Sequence, residues 1–305
     1  MTFMSATGRS PVPPGPPVGA PGSSGTLRMT PGRWVALAVA VPAALALIGW
    51  AGFSTVTSFA RGSYSFGYPV TVQDHVLTLN MNSGNITLRQ GPDDGNAWLT
   101  GVVQYGLVRP GISEANTPTG TDFGVDCAGI TAGNCGVNAT LDVPARTGVT
   151  LRSNGGDIAA SGFSSGVSLW ASGGNVSASN LKSSDVIQIN TGGGDLTANG
   201  VNGDVNVSAE GGDIYGNGVA SSQAYIQSGG GDVTLTFITP PQNLQINAAG
   251  GNVYLTLPPG GTKYDISTNT GGGNLDDNLP NLFSSTAKHK ITVDSGGGDI
   301  TISQS

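Results

Sequence analysis

Eight aspartate or asparagine residues recur in one local setting, each behind a glycine pair and ahead of an aliphatic residue. They are Asp157, Asn175, Asp195, Asp213, Asp232, Asn252, Asn274 and Asp299. Oxygen-bearing side chains repeated at a regular interval suit calcium, a hard cation that takes carboxylate and carbonyl ligands. Calcium-binding β-rolls, however, repeat GGxGxD at nonapeptide spacing. Here the interval is about twice as long and the later glycine is missing. Asp and Asn also form turns well, because their side chains hydrogen-bond nearby backbone. The turn-forming role is the preferred reading, and no metal ligand is assigned.

Other chemistry is sparse. His75 and His289 are the only histidines and stand at opposite ends of the repeat region. No GxSxG, HExxH or phosphate-loop pattern occurs. A polysaccharide-cleaving enzyme would need clustered carboxylates or a base beside cationic groups. The spacing supplies no such pair, so no catalytic residue and no cofactor is assigned. Cys127 and Cys135 do not fit a CxxC redox or zinc pattern. In an oxidising compartment they are expected to form a disulfide, which thiol labelling of unreduced protein would read.

The elements that carry the Asx turns are legible. From Asp157 to Asp299 the intervals are 18, 20, 18, 19, 20, 22 and 25 residues. A period near 20 points to a solenoid. A degenerate early copy, SGNI, occupies 83–86. The segment DVTLTF at 232–237 alternates apolar and polar residues, as does NLQIN at 243–247. That is the period of a half-buried strand. Pro240 and Pro241 break the chain between these two strands. The glycines are expected to supply positive φ at the turns. A longer unit, strand, proline corner, strand, Gly-rich corner, recurs at 141–158 and 255–275.

A unit this short cannot bury its own apolar side, so coils must stack. The expected fold is therefore all-β, a parallel β-solenoid of β-helix type over residues 70–305, right-handed by default. The coil ending at Asp299 is expected to terminate the stack. A β-sandwich of hairpins is the competing architecture, since Gly-rich turns also join antiparallel strands. The segment 99–140 fits the repeat poorly and is expected to be an excursion or a cap.

Residues 34–53 form an uncharged apolar run with Trp34 and Trp50 near its ends. Twenty such residues span a hydrocarbon core of ~30 Å, and indole rings favour its interfaces. One transmembrane α-helix is expected over 34–56, followed by a linker over 57–69. A signal peptide cut before Arg61 is the alternative, although the run is long for one. Residues 1–33 carry Arg9, Arg28 and Arg33 and no acid, which places that end in the cytoplasm. Their Pro- and Gly-rich composition predicts a disordered tail. All 19 acidic residues follow residue 60, where the net charge is near −10, so nucleic acid is not an expected partner.

The G-G-D/N-aliphatic turns, the V/L-x-V/L-P corners and the apolar segment ahead of them resemble the "putative adhesin" family of bacterial envelope proteins. That resemblance covers about residues 70–305 and implies Gly-rich β-strand repeats with no assigned molecular activity. The expected function is a non-catalytic binding or adhesion module anchored in the cell membrane. Its expected partners are the membrane and a cell-surface glycan or envelope protein. A structural or sensory ectodomain reporting through the tail is the alternative. Trp170, Tyr215, Tyr225 and Tyr254 are candidate exposed aromatics, though each could equally fill the core. Protease added to intact cells lacking an outer barrier should digest residues 62–305 and spare an N-terminal tag. A protected C-terminus would refute this topology.

Overall fold

Alternating aliphatic and polar residues turn each repeat into short strands with one buried face. In VTLTF, Val233, Leu235 and Phe237 are buried while Thr234 and Thr236 lie between them on the outer side. The computed structural model describes residues 62–305 except 71, 73, 74, 93, 94, 107, 118, 119, 127–134 and 280. The expected tail and membrane helix fall outside the described residues, as does Cys127. No helix among the described residues is long and apolar enough to cross a membrane.

The early strands are β1 (Gly62–Val70), β2 (Val76–Met81), β3 (Asn85–Gln90), β4 (Ala97–Tyr105), β5 (Gly111–Thr117), β6 (Gly120–Asp126) and β7 (Gly136–Val143). Regular coils follow, each with one strand in either sheet. They are β8 (Gly148–Ser153) with β9 (Ile158–Ser161), β10 (Val167–Ala171) with β11 (Val176–Ser179), and β12 (Ile187–Thr191) with β13 (Leu196–Asn199). Next come β14 (Val205–Ala209) with β15 (Ile214–Val219), β16 (Gln223–Ser228) with β17 (Val233–Phe237), and β18 (Asn243–Ala248) with β19 (Val253–Leu257). The last are β20 (Tyr264–Asn269) with β21 (Leu275–Asp277) and β22 (His289–Ser295) with β23 (Ile300–Gln304).

Two sheets result. Sheet A runs β1-β4-β7-β3-β9-β11-β13-β15-β17-β19-β23-β21, and sheet B runs β20-β22-β18-β16-β14-β12-β10-β8-β2-β6-β5. Every pairing from β8 onward is parallel, which excludes the sandwich of hairpins. The chain is all-β among its described residues and solenoid-like. Among the described residues antiparallel pairs occur only at the first end, where β1, β4 and β5 flank the stack. Segment 99–140 supplies much of this cap. β1 begins at Gly62, inside the stretch expected to be linker.

The stack does not follow chain order at its ends. β22 and β23 insert between the β18/β19 coil and the β20/β21 coil. The coil ending at Asp299 is therefore interior, and the coil of Asn274 is terminal, contrary to the expectation from chain order. At the other end the β6/β7 coil lies outside β2/β3, which itself rests on β8/β9. The two long proline-cornered units are the links β7–β8 and β19–β20, both of which pass over a neighbouring coil position. These links, 144–147 and 258–263, are no longer than the link 180–186 between adjacent coils, so length does not distinguish them.

Aliphatic residues after the Asx positions form one interior column. Ile214, Val233, Val253 and Ile300 lie in register and are fully or almost fully buried. Each such side chain contributes about 1.5–3 kcal/mol relative to exposure. Solenoid ends would leave this column open to water. Phe66 stacks on Phe123 at 5.1 Å and Tyr68 packs beside both, closing the first end. Buried Tyr264, Leu279 and Leu282 lie in the last coil and its return connection.

A two-coil rhythm runs along the corner ahead of each Asx. In stack order its buried position reads Ser153, Ala171, Thr191, Ala209, Ser228, Ala248, Ser295. The Thr191 hydroxyl donates to the Gly174 carbonyl of the adjacent coil at 2.8 Å. It also accepts the Gly194 N–H of its own coil at 3.2 Å. Ser295 reaches the Gly251 and Gly298 carbonyls at 3.1 and 2.9 Å. In these two coils one buried hydroxyl serves two glycine corners, whereas Ser153 and Ser228 each bond a carbonyl of their own corner, at Gly155 and Gly231, and the coils between carry alanine. Unpaired carbonyls at this depth would each cost about 1–3 kcal/mol.

The glycine pairs serve a different purpose from the one expected. Among the second glycines of the eight repeat turns only Gly156 has a positive φ, at 102°. A Cβ on Gly174, Gly194, Gly212, Gly231, Gly251, Gly273 or Gly298 would instead lie under 3.0 Å from the neighbouring coil's backbone. The first glycine differs, since a Cβ on Gly230 would meet nothing within 4 Å. Positive φ matters at the opposite corner, where Asn180 (52°) stands in the series with Gly200 (64°) and Gly218 (67°). Gly231→Ala should therefore cost about 1–3 kcal/mol by overpacking, while Gly230→Ala should stay within about 0.5 kcal/mol of the parent. Urea unfolding of both variants measures this, and equal losses would refute the close-approach account.

Candidate binding faces

The repeated Asp and Asn side chains come together as a single ladder. The Asp157 N–H donates to Asn85 Oδ1 at 2.9 Å, and the Asn175 N–H to Asp157 Oδ1 at 2.8 Å. Asp195 and Asp213 continue it at 2.8 and 3.0 Å, each donating to the Asx oxygen of the preceding coil. Asp232 donates to Asp213 at 2.8 Å, Asn252 to Asp232 at 2.7 Å, Asp299 to Asn252 at 2.9 Å and Asn274 to Asp299 at 2.7 Å. All eight residues singled out from the sequence belong to it, and Asn85 of the degenerate copy begins the series. The order Asn252, Asp299, Asn274 follows the transposed stack rather than the chain.

This arrangement gives the carboxylates a structural task. Each interior Oδ1 accepts a peptide N–H from the coil above it, and bonds to ionised acceptors are stronger than neutral ones. Coils ~4.8 Å apart bring like charges close. Asparagines interrupt the row, and Asn252 Nδ2 and Asn274 Nδ2 donate to Asp232 and Asp299 at 3.3 and 3.2 Å. Among the described residues no group of three or more His, Cys, Asp or Glu is placed to hold a metal ion.

The histidines are far apart in the stack. His75 has a φ of 60° in the turn before β2. His289 opens β22, with Nδ1 2.7 Å from the Pro241 carbonyl and its ring edge-on to Tyr264. Burial pushes the Tyr264 phenol up, and its buried hydroxyl meets no hydrogen-bond partner among the described residues. A hydrogen bond to Asp142, with its charge, raises the Arg89 guanidinium; this exposed ion pair ties β3 to β7. Cys135 packs half-buried against the core, while its expected partner Cys127 lies outside the described residues.

The outward rows of the two sheets carry the unspent chemistry. All four candidate aromatics are exposed, at 39% for Trp170, 46% for Tyr215, 37% for Tyr225 and 43% for Tyr254. On sheet A, Thr197, Tyr215, Thr234, Tyr254 and Thr301 form one row in register. On sheet B, Gln188, Asn206, Tyr225, Gln245 and Thr292 form another. Beside it runs a second row, Arg152, Trp170, Asn190, Ser208, Gln227, Asn247 and Asp294. The Arg152 guanidinium lies 5.7 Å from the Trp170 ring centre, a cation–π arrangement.

Sheet B also holds a groove of about 240 Å³ between the Tyr225 row and the leading edge of the strands. Asn206, Gln223, Tyr225, Asn243, Gln245 and Asp204 line it. These amides are absent from the residues chosen on sequence grounds. Their signal was present in the polar positions of VNV, QAYI and NLQI. Alternation alone marks such positions as outward and says nothing of which outward rows adjoin.

A family model described as Toastrack DUF4097 matches residues 127–303. Two solved structures are similar to 80% of the chain. One is a "putative adhesin" from Bacteroides fragilis, with 15% identity, 97% of that chain covered and a TM-score of 0.39. The other is a "putative cell adhesion protein" from Clostridium sporogenes, with 11% identity, 100% covered and a TM-score of 0.24. No curated protein matches the chain.

The ladder assigns Asp213 a hydrogen-bonding role that an amide oxygen also fills, as Asn175 and Asn252 do in their coils, its weaker bond being offset by relief of repulsion from Asp195 and Asp232. Asp213→Asn should change unfolding free energy by less than about 0.5 kcal/mol. Asp213→Ala should lose about 1–2 kcal/mol, the worth of a bond to a charged acceptor at an exposed corner. Chemical denaturation reads both, and an equal loss in the Asn variant would show that charge rather than the ladder is needed.

Proposed function

The chain belongs to the Toastrack DUF4097 family, and from that premise we propose that it is a non-catalytic binding module of the cell envelope. In this reading residues 34–56 span the membrane, the tail stays cytoplasmic, and the sheets stand outside. Uncharged apolar length and the arginine bias of residues 1–33 support the topology. An oxidising exterior would also let Cys127 and Cys135 pair.

One observation carries the binding role. Trp170, Tyr215, Tyr225 and Tyr254 all point outward from regular strands, where burial would have stabilised the fold instead. Aromatics at the centre of contact surfaces supply large area at little entropic cost. Strand positions hold them rigidly, which lowers the ordering cost of binding. The absence of turnover is supported by how the polar groups are used. The ladder carboxylates already accept peptide N–H groups, and the His289 ring contacts the Pro241 carbonyl.

The described residues from Gly62 onward share one core, so a fragment that carries them can be tested apart from the tail. Immobilised Val56–Ser305 should retain envelope glycan or envelope protein fractions without releasing reducing ends or peptides. Replacing the aromatics of the responsible face by alanine should weaken retention by about tenfold or more. Product release, or no retention of either fraction, would sink the proposal.

A further inference from the structure

We infer that the groove beside Tyr225 on sheet B takes an extended, neutral glycan, a step that rests on the binding role proposed above. The argument begins with register. Asn206 and Gln245 are the direct neighbours of Tyr225 on the two adjoining strands. Strand spacing places them ~4.8 Å to either side of the ring. That interval is close to the advance of one pyranose residue in an extended β-1,4-linked chain. A glycan lying along the stack therefore meets one rung per sugar.

The ring is tethered at its hydroxyl. Tyr225 Oη donates to Gln227 Oε1 at 3.4 Å and accepts from Asn247 Nδ2 at 3.3 Å. Both partners lie on the row away from the groove, Gln227 on the same strand and Asn247 on β18, so the phenol is tethered toward that row with 37% of the residue exposed. A tethered ring offers a fixed apolar platform for the C–H face of a sugar. Meanwhile Asn206 and Gln245 are exposed and make no side-chain hydrogen bond to any described residue. An amide presents both a donor and an acceptor, which matches a pair of vicinal hydroxyls.

Charge narrows the class. No lysine or arginine lines the groove, and its single ionisable group besides Tyr225 is Asp204. Asp204 Oδ1 accepts the Gln223 N–H at 2.9 Å, which leaves a carboxylate at the groove edge. A sulfated, phosphorylated or uronic-acid glycan would meet that charge with nothing to balance it. Sheet A offers no equivalent, because its exposed tyrosines alternate with threonines rather than amides.

The test titrates Val56–Ser305 with β-1,4-linked oligomers of glucose and of N-acetylglucosamine, following tyrosine fluorescence and side-chain amide shifts. A polygalacturonate oligomer and an unstructured neutral peptide serve as counter-probes. Saturable binding of a neutral oligomer is expected, with shifts at the Asn206 and Gln245 amides. Tyr225→Ala and the pair Asn206→Ala with Gln245→Ala should each weaken it by about tenfold. Tyr215→Ala with Tyr254→Ala should leave it unchanged. Thermal melting confirms that these exposed replacements stay folded. Neutral-glycan binding that survives Tyr225→Ala overturns the assignment of the groove. Preference for the polygalacturonate or the peptide overturns the ligand class. Retention of envelope protein with no oligosaccharide binding also overturns it, while leaving the binding role in place.

Discussion

The structure depends on how closely one glycine corner can sit on the next. The second glycine of each repeat turn lies against the backbone of the preceding coil, with no room for a Cβ. That approach brings the following Asp or Asn N–H within 2.7–3.0 Å of the neighbouring side-chain oxygen. Glycine and Asx are therefore one device: the first removes a side chain so that the second can bridge coils. Parallel strand pairing follows on both sides of the corner, because the coils are locked in register there.

A corner this tight points its carbonyls inward as well as outward. The buried hydroxyls of Thr191, Ser228 and Ser295 answer that demand. Each coil between them carries alanine at the same position. The repeating unit is thus two coils deep in its polar detail and one coil deep in its apolar column. Transposition of the end coils keeps the polar alternation through Ser295, whereas Leu275, which caps the apolar column on Ile300, is exposed. Ser295 follows Ala248 in the stack, although the terminal coil lies between them in the chain.

With corners and interior committed, the outer rows are free to vary. Burial constrains every second residue of a strand, and the alternate residue faces water. On sheet A the row through Tyr215 and Tyr254 alternates them with threonines, and on sheet B the row through Tyr225 sets it between the amides Asn206 and Gln245. The same scaffold thus presents two chemically distinct faces without altering its core. Sheet B alone combines a tethered ring with amides that make no other bond.

The sequence by itself determined the strands, the turns and the all-β stacked class. Period-2 alternation and an Asx turn every ~20 residues are local signals, and local physics produces them. It also marked Trp170, Tyr215, Tyr225 and Tyr254, though alternation could not separate core filling from exposure for each of them. Tertiary structure alone decided which coil neighbours which. The interior column is satisfied by any aliphatic coil, so nothing in GGDI at 297–300 shows that it belongs beneath GGNL at 272–275. It also decided why the glycines are required. Positive φ and close approach leave the same residue in the sequence, and only the neighbouring backbone distinguishes them.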